Sequence, residues 1–235
     1  MQLKKYRIEE QCFLVEGEKS VEELLRSDFE LVCLAARADL LHRWEQRLGG
    51  AEAFEASEAE LTGMSSLQTN DAAVAVAKMK PNPEWKVNSK EFALVLDDIR
   101  DPGNLGTIIR TADWYGINKI IASEETADFY NPKTIIATMG SFCRVQVLYT
   151  HLATYLPSIS LPVMGTFLDG QSVHDYFFPT AGLVVIGNES KGISAEVEQQ
   201  VSARLTIPRF GKAESLNAGI ATAIVLDNLR RQIPA

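Results

Sequence analysis

The sequence predicts an α/β fold in two domains, and three features of the chain support this prediction. Short apolar segments alternate with segments of helical period along the whole chain. In the second part most apolar runs are continuous, which is typical of parallel strands covered on both faces. A polar stretch with two prolines, 81–91, has no helical period and is predicted to be a linker. The domains are therefore 1–80 and 92–235.

The first domain is predicted to be a small α/β layer. Its apolar runs predict strands at 13–15, 31–34 and 73–79, with helices at 18–25 and 40–48.

The second domain repeats the alternation more strongly. The predicted strands are 92–96, 119–122, 145–148, 163–167, 183–186 and 204–207, and the predicted helices are 105–115, 133–139, 194–201 and 214–231. In such a fold, ligands are expected at the carboxyl ends of the strands.

Composition and net charge narrow the class of protein. Apolar residues make up 46% of the chain and charged residues 23%, as in ordinary globular proteins. No segment suits a signal peptide or a membrane span, so we expect a cytoplasmic protein without a membrane partner. The net charge of −8 argues against avid, indiscriminate binding of nucleic acid.

Metal and common nucleotide sites are not predicted. The three cysteines are odd in number and widely spaced, which favours free thiols, and no histidine lies at metal-ligand spacing. Residues 165–172 have the spacing of a phosphate-binding loop, but Gln171 stands where the lysine belongs. No G-x-G-x-x-G follows a strand, so a nucleotide-using α/β enzyme is a disfavoured alternative.

The first motif, 97–116, is DDIRDPGNLGTIIRTADWYG. A strand, a turn and a helix are predicted, with Asn104 as the helix N-cap. Arg110 lies on a different helical face from the inward apolar stripe. From this motif alone, a solvated arginine is as good an interpretation as a functional one.

The second motif, 183–194, is LVVIGNESKGIS. Gly187 ends a buried strand, where a residue without a side chain lets a ligand approach the backbone, and Glu189 follows in a polar loop. An ordinary turn with a surface glutamate is the alternative.

The third motif, 206–229, is TIPRFGKAESLNAGIATAIVLDNL. Ser215 and Asn217 open a helix rich in small residues, which indicates close packing against another backbone. Both residues could instead serve only as caps.

Together and in this order, the motifs resemble the three signature motifs of the SpoU branch of the SPOUT RNA methyltransferases. The resemblance is carried by DPGNLGTIIRTA, IGNESKGIS and IPRFGKAESLNAGIATAI. The first domain resembles the small ribosomal-protein-like α/β domain with which such enzymes hold RNA. The resemblance implies a deep trefoil knot in the second domain and 2′-O-methylation of a ribose in structured RNA.

The resemblance also implies S-adenosylmethionine as cofactor. The residues expected to contact it are Gly165, Thr166, Ile186, Gly187, Ile207, Leu216 and Asn217. Arg110 is expected to act on the ribose hydroxyl. Because a guanidinium stays protonated, binding the phosphate and stabilising negative charge suit it better than acting as a base. Asn104, Glu189, Ser215 and Asn217 are expected to orient these groups.

Members of the family work as homodimers with active sites at the interface, so the same is expected here, with Arg110 lent between subunits. Ribosomal RNA is favoured over transfer RNA because the first domain resembles those of rRNA-modifying members. A tRNA methyltransferase and a non-catalytic RNA-binding protein remain alternatives. The basic residues expected to contact phosphate are Lys4, Lys5, Arg7, Lys19, Arg209 and Lys212.

Overall fold

The computed structural model describes residues 1–233, which separate into two units by their contacts. The first unit comprises 1–81 and 128–143, and the second comprises 82–127 and continues from 144. The sequence placed 128–143 in the second domain. Aromatic packing explains the difference, because the ring of Phe13 lies 4.7 Å from that of Tyr130 and 5.9 Å from that of Phe142.

The first unit contains a four-stranded sheet in the order β1-β4-β2-β3. Its strands are β1 (Cys12–Glu16), β2 (Leu31–Ala36), β3 (Glu52–Glu55) and β4 (Ala73–Lys78). Its helices are α1 (Lys4–Glu10), α2 (Glu18–Leu25), α3 (Ala38–Trp44), α4 (Glu58–Met64) and α6 (Pro132–Thr138). β4 pairs antiparallel with β1 and β2, whereas β3 is parallel to β2. The small α/β layer predicted for this region is confirmed.

The second unit contains a fully parallel six-stranded sheet in the order β10-β8-β9-β5-β6-β7. Its strands are β5 (Phe92–Asp97), β6 (Lys119–Ala122), β7 (Gln146–Tyr149), β8 (Val163–Ser172), β9 (Gly182–Gly187) and β10 (Ala203–Thr206). Its helices are α5 (Pro102–Trp114), α7 (Leu152–Tyr155), α8 (Ala195–Glu198) and α9 (Ala218–Gln232). The order reverses between β5 and β9, and the carboxyl ends of strands at such a switch are where ligands bind.

Helices α5 and α9 begin three and four residues away from their predicted starts. Helix α5 begins at Pro102, and its N-cap is Asp101, whose Oδ1 accepts from the backbone N–H of Asn104 at 2.9 Å. The prediction of Asn104 as N-cap is wrong because proline at the first helical position sets the start three residues earlier. Helix α9 begins at Ala218 rather than 214, because Asn217 caps it.

Arg7 was expected to contact phosphate, but its side chain is only 2% exposed. Its Nη2 donates to Asp128 Oδ2 at 2.6 Å, and its Nη1 donates to the backbone oxygens of Met1 and Gln2. All of these residues belong to the first unit. Arg7 is therefore a structural residue and is not available to RNA.

Replacing Asp128 with alanine is expected to lower the free energy of unfolding by about 3 kcal/mol, because it leaves a buried guanidinium without its partner. Chemical denaturation monitored by circular dichroism measures the change. Asp39→Ala is the control, since it removes an exposed partner of Arg37 and should change stability little. Equal stability of the two variants would contradict this account.

The remaining structural expectations concern thiols, metals and membranes. Cys12, Cys33 and Cys143 are free thiols; Cys12 is buried and the other two are half-buried. Among residues 1–233, no group of three or more histidine, cysteine or carboxylate side chains could hold a metal ion. Within the same residues, no helix has the length and apolar character needed to cross a membrane.

Candidate active site

A cavity of about 920 Å³ opens at the carboxyl ends of three neighbouring strands of the parallel sheet. Its walls are the outer half of β8 and the segments that follow β9 and β10. A volume of this size lies within the range of pockets that enclose cofactor-sized ligands. All three segments belong to the second unit, and the last two carry the second and third sequence motifs.

Side chains from all three motifs meet beside this cavity. Glu189 Oε1 accepts hydrogen bonds from Asn104 Nδ2 at 2.5 Å, from Asn217 Nδ2 at 3.2 Å and from the backbone N–H of Ala218 at 3.2 Å. Asn217 Nδ2 also donates to Asn104 Oδ1 at 2.8 Å. We call these three side chains the Asn104–Glu189–Asn217 network. They are 28 to 113 residues apart in sequence, so the network ties the motifs together.

The network lies at the start of helix α9. Asn217 Oδ1 accepts from the backbone N–H groups of Gly219 at 3.0 Å and Ile220 at 3.3 Å, and thereby caps the helix. The carboxylate of Glu189 adds a negative charge at the same helix end, where unpaired N–H groups favour anions. The position of Glu189 is therefore fixed by hydrogen bonds to both α5 and α9.

A second set of contacts, which sequence reasoning missed, holds the loop that carries Glu189. Asp97 is buried at the end of β5, and its Oδ2 accepts from the backbone N–H of Ser194 at 2.7 Å. The amide of Asn188 donates to the backbone oxygen of Asp98 at 2.8 Å, and Asp98 has a positive φ of 60°. A carboxylate at the end of an apolar strand is the sequence signal that could have identified Asp97.

A cation–π contact supports Phe167, which lines the cavity. The guanidinium of Arg204 lies 3.6 Å from the centroid of the Phe167 ring. Arg204 Nη2 donates to Asp169 Oδ1 at 2.7 Å, and Nη1 donates to Glu198. The hydrogen bond to Asp169 raises the pKa of Arg204 above its ordinary value, so the guanidinium over Phe167 stays charged. No sequence pattern predicted the contact.

The lining is more acidic than basic. The four carboxylates that line it are Asp169, Glu189, Glu198 and Glu214, and the two cations are Lys191 and Arg209. Such a wall suits a ligand with a positive charge and disfavours one that is rich in phosphate. This charge balance, together with the missing phosphate loop, argues against the alternative of a nucleotide-using α/β enzyme.

The residues present fit S-adenosylmethionine. Apolar side chains from three segments, Ile186, Ile207 and Leu216, line the cavity and offer surfaces for an adenine ring. Gly187 leaves the end of β9 without a side chain: a Cβ there would lie 2.4 Å from the backbone carbon of Gly192 and the backbone nitrogen of Ile193. The acidic lining matches the positive charge of a sulfonium.

The variant Gly187→Ala is therefore expected to destabilise the protein by about 1–3 kcal/mol and to weaken S-adenosylmethionine binding. Backbone atoms, which cannot rotate away, surround the added methyl group. Thermal unfolding and calorimetric titration measure the two effects. Gly63→Ala, in helix α4 with no atom within 4 Å of a new Cβ, is the control and should leave both unchanged or stability slightly higher. An unaffected Gly187→Ala protein would contradict the packing argument.

The site residues predicted in the second unit divide into those that line the cavity, those in the network beside it and those outside both. Those that line the cavity are Thr166, Ile186, Gly187, Glu189, Ile207, Arg209, Ser215 and Leu216. Asn104 and Asn217 lie in the network beside it. Gly165 and Lys212 are outside the lining; Gly165 is buried, and a Cβ there would lie 2.6 Å from the Phe167 ring. Arg110 is exposed, outside the lining, and forms no hydrogen bond or ion pair with residues 1–233.

The parallel sheet, the cavity at its carboxyl edge and the meeting of three motifs define an α/β enzyme with a cofactor site. The sequence model of the SpoU rRNA Methylase family matches residues 91–227, and that of the MRM3-like substrate binding domain matches residues 1–75. The chain belongs to the SpoU rRNA Methylase family. The predicted family and fold class are thereby confirmed, and family membership implies the trefoil knot.

Individual relatives are similar over nearly the whole chain. The 23S rRNA (guanosine(2553)-2′-O)-methyltransferase RlmP of Bacillus subtilis is 32% identical, with 97% of this chain and 92% of that protein covered. The 23S rRNA (guanosine-2′-O-)-methyltransferase RlmB of Acinetobacter baylyi is 29% identical, with 92% and 96% covered. The AdoMet-bound rRNA methyltransferase from Sinorhizobium meliloti is a structural neighbour with a TM-score of 0.89 and 28% identity, covering 100% of this chain and 92% of its own.

Proposed function

We propose that this chain methylates the ribose 2′-hydroxyl of a guanosine in 23S rRNA, with S-adenosylmethionine as the methyl donor. The observation that carries the proposal is the Asn104–Glu189–Asn217 network, which joins all three family motifs beside a cavity of cofactor size. The similarity to RlmP and RlmB over both units supports ribosomal RNA and guanosine. The enzyme is an RNA 2′-O-methyltransferase.

When bound, S-adenosylmethionine supplies an electrophilic methyl group. The protein must place the ribose hydroxyl and stabilise the charge that develops as the hydroxyl loses its proton. Arg110 is the residue for this task, because a guanidinium that binds the adjacent phosphate also stabilises a nearby oxyanion. Glu189, Asn104 and Asn217 hold the loops around the reacting groups, and Ser215 offers a hydroxyl inside the cavity.

The enzyme acts as a homodimer in which Arg110 completes the site of the partner subunit. Arg110 follows Asn104 by six residues on α5, a rotation of about 240° and a rise of about 9 Å. It therefore points away from the network of its own chain and lies outside the lining of its own cavity. Arg110 shares its helical face with Trp114, whose side chain is 84% exposed, as expected for a surface that a second copy covers.

Trp114→Glu is expected to convert a dimer into a monomer of 26.0 kDa and to abolish methyl transfer, because a charge replaces the largest apolar side chain on the proposed interface. Light scattering after size-exclusion chromatography measures the mass. Phe54→Glu, at an exposed position of the first unit, is the control and should leave the mass unchanged. A wild-type monomer, or a dimer that survives Trp114→Glu, would contradict this interface.

RNA recognition requires local positive charge, because the net charge of this chain is −8. Of the basic residues predicted to contact phosphate, the five that are exposed are Lys4, Lys5, Lys19, Arg209 and Lys212. Arg209 also lines the cavity, so it suits a phosphate close to the target ribose. The first unit supplies the other contacts as the substrate-binding domain. Because the substrate is ribosomal RNA, we expect the reaction to take place in the cytoplasm.

The proposal is tested in two steps with the purified protein. Calorimetric titration measures S-adenosylmethionine binding, and labelled cofactor then measures transfer to an unmodified 23S rRNA transcript, with a tRNA transcript as comparison. Transfer to 23S rRNA at one alkali-resistant position supports the proposal. Transfer to tRNA alone would make the protein a tRNA methyltransferase, and RNA binding without cofactor binding would make it a non-catalytic RNA-binding protein.

A further inference from the structure

The rim of the cavity carries an aromatic side chain that the network and the cofactor lining do not use. Phe210 is 97% exposed, the highest exposure among the large apolar side chains in the described part of the chain, and it lines the cavity. Single exposed apolar side chains are common on protein surfaces, but an exposed aromatic ring that lines a binding cavity is available to contact a ligand. Its position at the mouth of the site therefore requires an explanation.

The other phenylalanine of the cavity provides a contrast. Phe167 is half-buried, packs against the core and is covered on one face by the guanidinium of Arg204 at 3.6 Å. It forms part of the wall. Phe210 belongs to the segment between β10 and α9, residues 207–217, which has no helix or strand. Phe210 is therefore an exposed side chain of the cavity rim, whereas Phe167 is packed into the wall.

The neighbours of Phe210 suit a nucleotide. Arg209 precedes it and donates to the backbone oxygen of Ala213 at 3.3 Å, which keeps the guanidinium at the rim. Gly211 follows, and a Cβ there would meet no atom within 4 Å, so the ring has room to turn. Lys212 adds a further exposed cation. Arg209 and Lys212 flank Phe210 in the sequence, and an exposed aromatic ring accompanied by cations suits a nucleobase and its phosphates.

We propose that Phe210 stacks on the base of the nucleotide whose ribose is methylated. This inference rests on the proposed function, because it assigns a subsite for the RNA of that reaction. The 2′-hydroxyl is present on every ribonucleotide, so the enzyme needs a contact that fixes one nucleotide at the cavity. Stacking on Phe210 provides it without reading the identity of the base, since every base has a π-face.

The test compares four variants with the wild-type enzyme: Phe210→Ala, Phe210→Leu, Phe210→Trp and Phe177→Ala. Phe177 is 88% exposed in the same unit and lies outside the cavity lining, so it is the matched control. We expect Phe210→Ala and Phe210→Leu to lower kcat/KM for 23S rRNA about tenfold, the loss typical of one stacked base. The Kd for S-adenosylmethionine and the Tm should stay unchanged. Phe210→Trp keeps an aromatic ring and should retain the wild-type kcat/KM.

Each other outcome is decisive. Full activity of Phe210→Ala or Phe210→Leu, or an equal loss in Phe177→Ala, would overturn the inference while the proposed function stands. Weakened S-adenosylmethionine binding in Phe210→Ala would assign the ring to the cofactor instead and would also overturn it. Absence of transfer by the wild-type enzyme would contradict the proposed function itself, and the inference would fall with it.

Discussion

Replacing Arg110 with alanine is expected to lower the kcat of methyl transfer by about 10²–10³, the loss typical of removing one group that stabilises developing negative charge. The Tm should not change, because Arg110 is exposed and forms no hydrogen bond or ion pair with the described residues. Arg110→Lys should restore only part of the rate, since an ammonium keeps the charge but cannot bind a phosphate through two parallel N–H groups. Methyl transfer to 23S rRNA measures all three enzymes, and Arg43→Ala is the control at an exposed position of the first unit.

A mixture of two inactive variants tests whether Arg110 acts across the dimer. In a heterodimer of Arg110→Ala and Glu189→Ala subunits, one site combines an intact Glu189 with the partner's intact Arg110. Random mixing should therefore restore about a quarter of the wild-type activity, because half of the dimers are mixed and each has one complete site. If Arg110 acts within its own subunit, every site in the mixture lacks one residue and no activity returns.

The central strands of the second unit could be predicted because burial on both faces of the sheet makes their sequences apolar. A strand buried on both faces, such as β5 or β9, is a nearly continuous apolar run, and this pattern is visible in the sequence. β3 could not be predicted for the converse reason. All four of its residues are exposed at the sheet edge, so burial left no pattern in its sequence.

The site was predictable as a set of motifs but not as a set of contacts. The order of the motifs and the family resemblance predicted that Asn104, Glu189 and Asn217 belong together. Nothing in the sequence specified that one oxygen of Glu189 accepts from both asparagine amides and from the backbone N–H of Ala218. The incorrect N-cap shows the limit. Asn104 was assigned to the backbone of α5, whereas Asp101 caps that helix and leaves the Asn104 amide available to Glu189. Local capping rules identify suitable residues, and long-range partners decide between them.

Two features depend on packing between distant segments and left no local signal. The helix predicted at 133–139 is present as α6, but the aromatic rings of the first unit determine where the segment packs. The cation–π contact of Arg204 with Phe167 joins residues on two strands paired with a register shift, which composition and period do not encode.

Asn217 is predicted to have two separable roles, and substitutions should separate them. Asn217→Ala removes both the capping oxygen of α9 and the amide that donates to Glu189 and Asn104. We expect a loss of about 1 kcal/mol in the free energy of unfolding from the cap. Methyl transfer should fall about 10- to 100-fold, because Glu189 loses one of its three donors and is held less firmly. Denaturation and transfer to 23S rRNA measure the two losses.

Asn131→Ala is the matched control for the capping role. Asn131 is also an asparagine N-cap, and its side chain accepts from the backbone N–H of Lys133 at 2.9 Å at the start of α6 in the first unit. Its replacement should lower stability by a similar amount and leave methyl transfer by the folded enzyme unchanged. Equal losses of activity in the two variants would mean that Asn217 acts only through stability.

Asn217→Ser and Asn217→Asp isolate the donor. Both side chains keep an oxygen that caps a helix about as well as asparagine does, so stability should be nearly preserved. Neither reproduces the amide that donates to both Glu189 and Asn104, and aspartate also places a second carboxylate beside that of Glu189, 3.2 Å away in the wild-type contact. Activity should therefore fall in both and further in Asn217→Asp, because like charges force the Glu189 loop apart. Full activity of Asn217→Asp would contradict a role for the network in catalysis and reduce Asn217 to a helix cap.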